Sequence, residues 1–354
     1  MLFSAKPKGY FVEQNDHAVM LARTSSPVGP MVIEELAECP VGDAAGLAEA
    51  IKKIQPKKSP SGYLHASCGI YTPKRYVRRA TLEVKRIKEP TYFAELLTQQ
   101  FRIEPDKYVT MVLNAPDGTD YDVSKVSTQK EAVFGGMPTD EIVAAQDALL
   151  ASGIYPERIE LGSIAMLGGV VDYLTFTKSK TPTMILEIGA EATHSFIVSS
   201  MGLEATRPIP QGLESMIPVV QKELGLKDEE SARKLFFSNT FDFTGMGPLL
   251  IKKLLKELQS SIGFYEVQTG QSVGLLISTM LPPKLAWLDG AIASALGVGT
   301  LQLELLPWLE SRQITFTDAA KSVVDARWLG LLSLMARYDT ATPVANAVAA
   351  EKKD

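Results

Sequence analysis

Two stretches of this sequence share one layout and constrain the fold more than anything else in it. Residues 10–23 read YFVEQNDHAVMLAR and residues 186–198 read LEIGAEATHSFIV. Each is an apolar strand, a short polar or small-residue turn, and a second apolar strand, which predicts a β-hairpin. The two lie about half the chain apart with no sequence identity between them, so their shared design predicts an internally duplicated architecture. In the second hairpin, Gly189 permits a tight turn that exposes backbone N–H groups, as a phosphate-cradling loop requires, and Glu187 has the charge to hold a metal-bound water. A plain hairpin with a polar tip needs neither residue for that purpose, so the reading turns on companions elsewhere.

With 354 residues the chain is long enough for two lobes, each with its own core. Its 45% hydrophobic and 22% charged residues are those of a globular protein. A formal charge of −5 offers no basic field to a polyanion, which excludes nucleic acid as the main partner. The richest basic stretch, PKRYVRR at 73–79, reads as a solvated strand edge, with an acidic protein or a lipid surface as the alternative. Cys39 and Cys68 have no metal-ligand spacing, the three histidines are scattered, and so few cysteines suit a reducing compartment. No metal site is expected. The N-terminal residues MLFSAKPKGYF lack the apolar core of a signal peptide, and runs such as VGLLISTMLPP are about half the ~20 residues a membrane span requires. The expectation is a cytoplasmic protein without direct membrane insertion.

Along the chain, the first hairpin leads to a strand (VIEELAECP), a helix (AAGLAEAIKKI, with Leu47, Ala50, Ile51 and Ile54 on one face) and a strand near SGYLHASCGIY, the order of an α/β lobe over residues 1–82. The texture changes over 83–153, where helix, strand and helix predict a small inserted α+β unit ending at the capping glycine Gly153. Residues 154–180, which contain RIELGSIAMLGGVVDYL, connect back and complete the first lobe. A second lobe is expected over 181–318, with a helical part at about 207–272. There GPLLIKKLLKELQSSIGFYEVQTG reads as one long helix with Leu250, Leu254, Leu258 and Ile262 along a core-facing stripe. The sequence DAAKSVVDARWLGLLSLMARY reads as a final apolar helix within 319–340 that packs back on the first lobe, and 341–354 as a mobile tail.

This order of elements resembles the actin-like ATPase superfold, a duplicated two-lobe α/β fold, and within it the PilM family of type IV pilus assembly proteins, relatives of the cell-division protein FtsA. The resemblance runs from about Gly9 to Arg337 and is carried by LEIGAEATHSFIV followed by RPIPQGLESMI, by ALLASGIYPERIELGSIAML, by SARKLFF, and by the position of the inserted unit. It implies an ATP site between the lobes, formed by both hairpins, a connecting helix and a glycine-rich adenosine loop.

Residue by residue, this chain departs from that site. The first hairpin has Glu13, Gln14, Asn15, Asp16, His17 and Ala18 in place of an Asp-x-Gly with hydroxyl residues, and Met20 falls where a Lys is usual. Asn15 tolerates a turn, but Asp16 adds a negative charge where phosphate would approach. In the second hairpin Glu187 replaces Asp, Gly189 is kept, and Thr193 is close to a phosphate-facing hydroxyl position. Gly162 follows the strand where a carboxylate is usual. Arg233 and Phe236 replace the Glu and Lys that meet the nucleoside. No glycine occurs between Gly274 and Gly290, and Pro282 and Pro283 remove two donors from the adenosine loop.

These departures lead to the expectation of a non-catalytic scaffold with no cofactor. Its degenerate nucleotide pocket would consist of Glu13, Asn15, Glu187, Gly189, Thr193 and Gly212. By resemblance, its partner is a PilN-like bitopic inner-membrane protein whose cytoplasmic N-terminal segment lies in a groove beside the inserted unit. Other pilus platform proteins, and a further copy of the chain, are additional partners to expect. The protein would then be peripheral to the inner membrane through its partner. Tyr92, Phe93, Leu96 and Phe101 are the candidate groove residues, with Arg75 and Arg79 at the rim; core packing and solvated charge are their alternatives. The competing expectation is an FtsA-like ATPase, in which Glu13 and Glu187 hold Mg²⁺ through water, Gly189 and Thr193 cradle phosphate, and Gly212 allows the second lobe to approach ATP. A sugar or acetate kinase would need a catalytic carboxylate in a sugar-facing loop, and no residue presents itself.

Overall fold

The computed structural model describes residues 7–336 apart from 58, 117, 126–129 and 239; the expected tail at 341–354 and Arg337 lie outside the described residues. In chain order the elements are β1 (Gly9–Gln14), β2 (Ala18–Thr24), β3 (Met31–Pro40), α1 (Ala44–Ile54), β4 (Leu64–Ile70), β5 (Tyr76–Thr81), α2 (Tyr92–Gln100), β6 (Tyr108–Asn114), β7 (Glu131–Pro138), α3 (Thr139–Ala151), β8 (Ile154–Leu161) and α4 (Gly162–Phe176). They continue as β9 (Thr183–Ile188), β10 (Thr193–Ser199), β11 (Gly202–Ile209), α5 (Ile217–Leu224), α6 (Glu229–Phe236), α7 (Gly247–Leu250), α8 (Lys252–Thr269), β12 (Leu275–Thr279), α9 (Trp287–Leu296), β13 (Gly299–Thr300), α10 (Leu305–Ser311), β14 (Ile314–Phe316), α11 (Asp318–Lys321) and α12 (Leu329–Ala336).

The duplication is explicit in the sheets. The first has the order β14-β3-β2-β1-β4-β8 and the second β11-β10-β9-β12-β13. In each, three antiparallel strands form a meander (β1, β2, β3 and β9, β10, β11), and parallel strands add on the free side of the first of them. The strands that carry the two hairpin tips, β1 and β9, therefore sit at equivalent inner positions. Inner strands covered on both faces read as continuous apolar runs, which is the pattern of YFVE and MILEI.

Between the sheets lie α4 and α12. Both are largely apolar: α12 is buried along almost its whole length, and α4 is buried apart from the face that carries Gly168, Thr175 and Phe176. One core joins them to both sheets, with Phe11, Val12 and Leu161 from the first and Ile185, Phe196 and Ile277 from the second. The helices touch closely where Gly169 faces α12: a Cβ there would stand 2.0 Å from Ser333 Oγ. A second core fills the outer face of the second sheet under α5 to α9, where Leu250, Leu254 and Leu258 are buried and Ile262 packs at the edge, as the stripe predicts. On α1, Ala50 and Ile54 are buried and Leu47 and Ile51 pack beside them, with Asp43 capping the first turn.

The boundaries differ from the sequence reading in three places. The three-stranded sheet β5-β7-β6 with α2 forms the inserted unit, so it spans 76–138 rather than 83–153. Helix α3 belongs to the first lobe because Ile142, Ala145 and Leu149 pack into that core. The chain returns to the first lobe near Leu305 rather than 319, since Leu305, Trp308 and Ile314 join its core and β14 pairs with β3. Two expected helices are interrupted. Between α7 and α8 the chain leaves helical geometry at Ile251 (φ −86°, ψ −2°), placing α7 against α9 near Trp287. Between α11 and α12, Asp325 has extended backbone and its side chain accepts from the Arg327 N–H, which ends one helical run and caps the next.

The α4–α12 contact is testable. Gly169→Val overpacks the joint and is expected to lower stability by about 1–3 kcal/mol in urea unfolding. Adding Ser333→Gly, which clears the colliding side chain, is expected to recover most of that loss.

Candidate functional site

The tips of the two hairpins meet. In the first, the Asn15 side-chain oxygen accepts from the backbone N–H of His17 (3.0 Å) and Ala18 (2.9 Å), so the amide holds the turn that a glycine would otherwise make. In the second, Gly189 N–H donates to Ala192 O (3.0 Å), and the following segment is tied on by Leu213 N–H to Gly189 O (3.0 Å) and Glu214 N–H to Ala190 O (2.9 Å). Across the gap, Asp16 Oδ2 accepts from the Ala190 N–H at 2.9 Å. Both glycines make this approach possible. A Cβ on Gly189 would lie 2.5 Å from Asp16 Oδ2, and one on Gly212 would lie 2.4 Å from Ala190 O.

Behind the tips, Arg75 crosses from the loop after β4 to the second lobe. Its Nη2 donates to Glu187 Oε2 at 2.9 Å and its Nε to Ser163 Oγ at 3.0 Å, while Ser163 Oγ donates to the same Glu187 oxygen at 2.8 Å. Nη1 donates to Thr72 O at 3.1 Å. The Tyr71 ring lies 5.2 Å from the guanidinium carbon, and Met280 Sδ lies 3.9 Å from Nη2. Arg75 and Glu187 are both buried. Tyr71 can reach this position because the first residue of α4 is Gly162, where a Cβ would stand 2.3 Å from the ring. Met280 reaches it with φ +65°, a left-handed conformation that bulky residues rarely adopt.

Glu13 is buried beside this ion pair. Its Oε1 takes a 3.4 Å contact from Asn15 Nδ2, and Oε2 has no partner among the described residues. Its carboxyl lies against the start of α12, where a Cβ on Gly330 would be 2.1 Å from Oε2. Burial, with the Glu187 charge adding to it and the Asn15 contact opposing it, pushes the Glu13 carboxyl up from 4.5 to about 8. Burial and the nearby Arg75 and Arg78 charges push His194 down to about 3, so it is neutral.

The six pocket candidates lie on the two hairpin tips and the segment tied to them, and their interactions are taken up within the chain. Thr193 Oγ1 donates to Gln211 O (2.7 Å) rather than facing the gap. Arg75, expected on a groove rim, is the buried centre of the cleft. Arg79 is half-buried: it donates to Glu204 O (3.0 Å) and pairs with Glu131, linking the inserted unit to β11. Tyr92 and Leu96 are buried in the core of the inserted unit, and Phe93 and Phe101 pack on the same core around Phe134, so these four form its interior and not a groove wall. Phe236 is also core, and Arg233 pairs with Glu214. Sequence reasoning missed Tyr71, Ser163 and Met280; the Gly162 departure was the one signal that pointed towards Tyr71.

Two grooves flank the inserted unit. One, of about 830 Å³, runs between β5 and β11 and α8; its walls carry Arg79–Glu131 and Arg207–Glu257 pairs. The other, of about 850 Å³, has one face of α4 as its floor (Ile164, Leu167, Gly168, Val171), with the end of β6 and the β10–β11 turn as walls. The turn closes its end: a Cβ on Gly202 (φ +110°) would meet Ala115 O at 2.2 Å. Asp172, at the far end of the floor, accepts from Trp308 Nε1 (2.8 Å) and Arg312 Nε (2.8 Å).

No protein-family model and no curated protein matches the sequence. Among solved structures, one described as the PilM-PilN type IV pilus biogenesis complex is similar with a TM-score of 0.65 at 16% identity, covering 94% of this chain and 99% of that one. The ethanolamine utilization protein EutJ from Carboxydothermus hydrogenoformans gives 0.46 at 9% identity, over 94% of this chain and 90% of that one. A Bacteroides thetaiotaomicron protein with an actin-like ATPase fold and unknown function gives 0.45 at 10% identity, over 93% and 96%. The chain shares its fold along nearly its whole length with a chain of the first structure.

The buried pair and the buried carboxyl each make a prediction. Arg75→Met leaves Glu187 without its cation and is expected to cost about 3–5 kcal/mol in urea unfolding, whereas the double variant Arg75→Met, Glu187→Met is expected to recover at least half of it. For Glu13, the folded chain holds a proton up to about pH 8 that the unfolded chain releases near 4.5. Between those values the native state binds more protons, so this group makes stability fall as pH rises, by at most about 1.4 kcal/mol per pH unit. Glu13→Gln is expected to remove that slope; it is read as the difference between variant and wild type in unfolding curves from pH 5 to 8.

Proposed function

We propose that this protein is a non-catalytic scaffold of a type IV pilus or type II secretion-like inner-membrane platform. On this reading it sits on the cytoplasmic side, peripheral to the membrane, and binds the cytoplasmic N-terminal segment of a PilN-like bitopic membrane protein. Among the described residues no helix is long and apolar enough to cross a membrane, so attachment through a partner is the arrangement that this reading requires. The fold shared end to end with a chain of a PilM-PilN complex supports the partner class.

The observation that carries the non-catalytic part is the Arg75–Glu187 pair. A nucleotide cleft offers N–H groups and a metal-binding carboxylate to phosphate. Here the Glu187 charge is neutralised from within the chain, the Ala190 N–H is taken by Asp16, and the Glu13 carboxyl keeps its proton at neutral pH. Met280 covers Arg75 where an adenosine loop would need room for a base. The residues present do not fit ATP with Mg²⁺ without breaking a buried ion pair.

The groove over α4 suits a partner segment better than the one beside β5. Its floor is apolar apart from Asp172, which is paired with Arg312, and Asp120 lies on the wall formed by the inserted unit. The other groove carries two ion pairs in its walls, Arg79–Glu131 and Arg207–Glu257, against the one Asp172–Arg312 pair here.

Isothermal titration separates the readings. With ATP and Mg²⁺ at millimolar concentration no heat is expected from the wild type, whereas a synthetic peptide of the cytoplasmic N-terminal segment of the organism's own PilN-like protein is expected to bind. Micromolar ATP binding that is lost in Gly189→Val would instead establish a nucleotide-dependent switch and end the scaffold reading.

A further inference from the structure

The groove between β5, β11 and α8 holds a cation that the chain does not pair. Among the described residues every arginine has a carboxylate in ion-pair contact except Arg78 and the exposed Arg102. Arg78 lines the groove and is half-buried, and its Nη1 donates to Val77 O at 2.9 Å, a neutral carbonyl of the preceding residue. Burial pushes its guanidinium down from the usual range. The group that opposes this shift is the Tyr76 phenol, which is neutral because burial pushes it up to about 12. The other charges of the groove are engaged: Arg79 pairs with Glu131, Arg207 pairs with Glu257, and Glu204 accepts from the Tyr265 hydroxyl at 2.6 Å. A partly desolvated cation without a counter-charge is unfavourable in the ligand-free chain, and an anion that reaches it makes charge-assisted hydrogen bonds.

We infer that this groove is a binding site for a small monocarboxylate with an apolar ring as its body, the carboxylate pairing with Arg78. The inference goes beyond the scaffold reading and does not depend on it. The charges of the groove set the charge of the ligand. One uncompensated guanidinium answers one negative charge, and further charges would meet the Glu131 and Glu204 carboxylates in the same lining, which disfavours phosphates and polycarboxylates. A carboxylate also matches the planar fork of the guanidinium. The apolar residues set the body. Ala80, Ile197 and Ala205 supply apolar surface, and the Phe264 side chain of α8 is 64% exposed on the wall. A ring laid against Phe264 removes apolar surface of both from water. At about 830 Å³ the groove has the size of a small-molecule site and is far larger than a lone ion needs.

The probe is naphthoate, titrated calorimetrically into the full chain. Wild type is expected to bind it saturably, with a dissociation constant of about 1 mM or tighter. Arg78→Gln is expected to weaken that binding about tenfold or more. Without ligand the same variant is expected to melt no lower than wild type, because it removes a half-buried charge that has no partner. Phe264→Ala is expected to weaken binding a few-fold and leave the circular dichroism unchanged. Naphthalenemethanol, which has the rings without the charge, and citrate, which has several charges without a ring, are each expected to bind about tenfold more weakly than naphthoate or worse. No saturable binding of naphthoate to wild type, or binding by Arg78→Gln within about twofold of wild type, would overturn the inference. Equal binding of the alcohol would mean that the rings alone are held, and equal binding of citrate that the groove accepts polyanions; either overturns the assignment. A clear fall in the melting temperature of ligand-free Arg78→Gln would mean that the chain itself uses this charge, which also overturns it.

Discussion

The ion pair between Arg75 and Glu187 is the joint on which the arrangement of the two lobes depends. Each partner comes from a different lobe, and both are out of water, where an unpaired charge would cost several kcal/mol. The cost is met locally: Ser163 bonds both partners, Thr72 supplies a carbonyl, and the Tyr71 ring and Met280 sulfur complete the surroundings. Such a pair adds little net stability over two apolar residues, yet it allows only one registration of the lobes, because either charge alone would be stranded. The Asp16 to Ala190 bond at the hairpin tips has the same sense. Both contacts join directly what a nucleotide joins in a working cleft.

The frame behind this joint explains why it can be so exact in placement. The tips of β1 and β9 are ends of inner strands, and Ser163 is the second residue of a helix buried between the sheets. Rigid, covered elements deliver these groups, and the glycines at 162, 189 and 212 remove the atoms that would hold them apart. Glu13 accommodates that frame in a different way. Pressed against Gly330 and out of water, it is stable there only as the neutral acid over most of the physiological range. The cleft therefore contains one carboxylate paired with Arg75 and one that burial keeps protonated.

Sequence alone carried the duplicated architecture, since two hairpins of one design at half-chain separation leave few alternatives. The faces of α1 and α8 were equally plain, because burial at helical spacing is a local signal. Arg75 was not legible. It sits in a basic run, PKRYVRR, whose neighbours do lie at a strand edge, and nothing local distinguishes the one arginine that turns inward to meet a glutamate 112 positions away. Met280 was hidden for another reason: its left-handed backbone violates the preference that makes sequence readable at all. The aromatics of the inserted unit were offered as a groove wall or as core. Only the third dimension could choose, and it chose core because a sheet of three strands and one helix needs Tyr92, Leu96 and Phe134 to have any interior. The final helix was read as continuous because Asp325 looks like an ordinary surface residue until its side chain is seen to cap the next turn.

On the proposed reading, helix α4 links the interlobe cleft to the groove beside the inserted unit. Its N-terminal residues Gly162 and Ser163 shape the interlobe cleft, and Gly168, about one and a half turns further on, lies in the floor of the groove beside the inserted unit. In a nucleotide-driven relative of this fold, such a helix would be well placed to transmit cleft closure to the groove. Here its first turn is locked by Arg75 and Glu187, so on the proposed reading the groove is held permanently in one geometry. A preformed groove binds a segment without a prior free-energy cost for domain closure, which favours constitutive attachment to a membrane partner over regulated attachment. A locked cleft is in that sense what the proposed scaffold role would require.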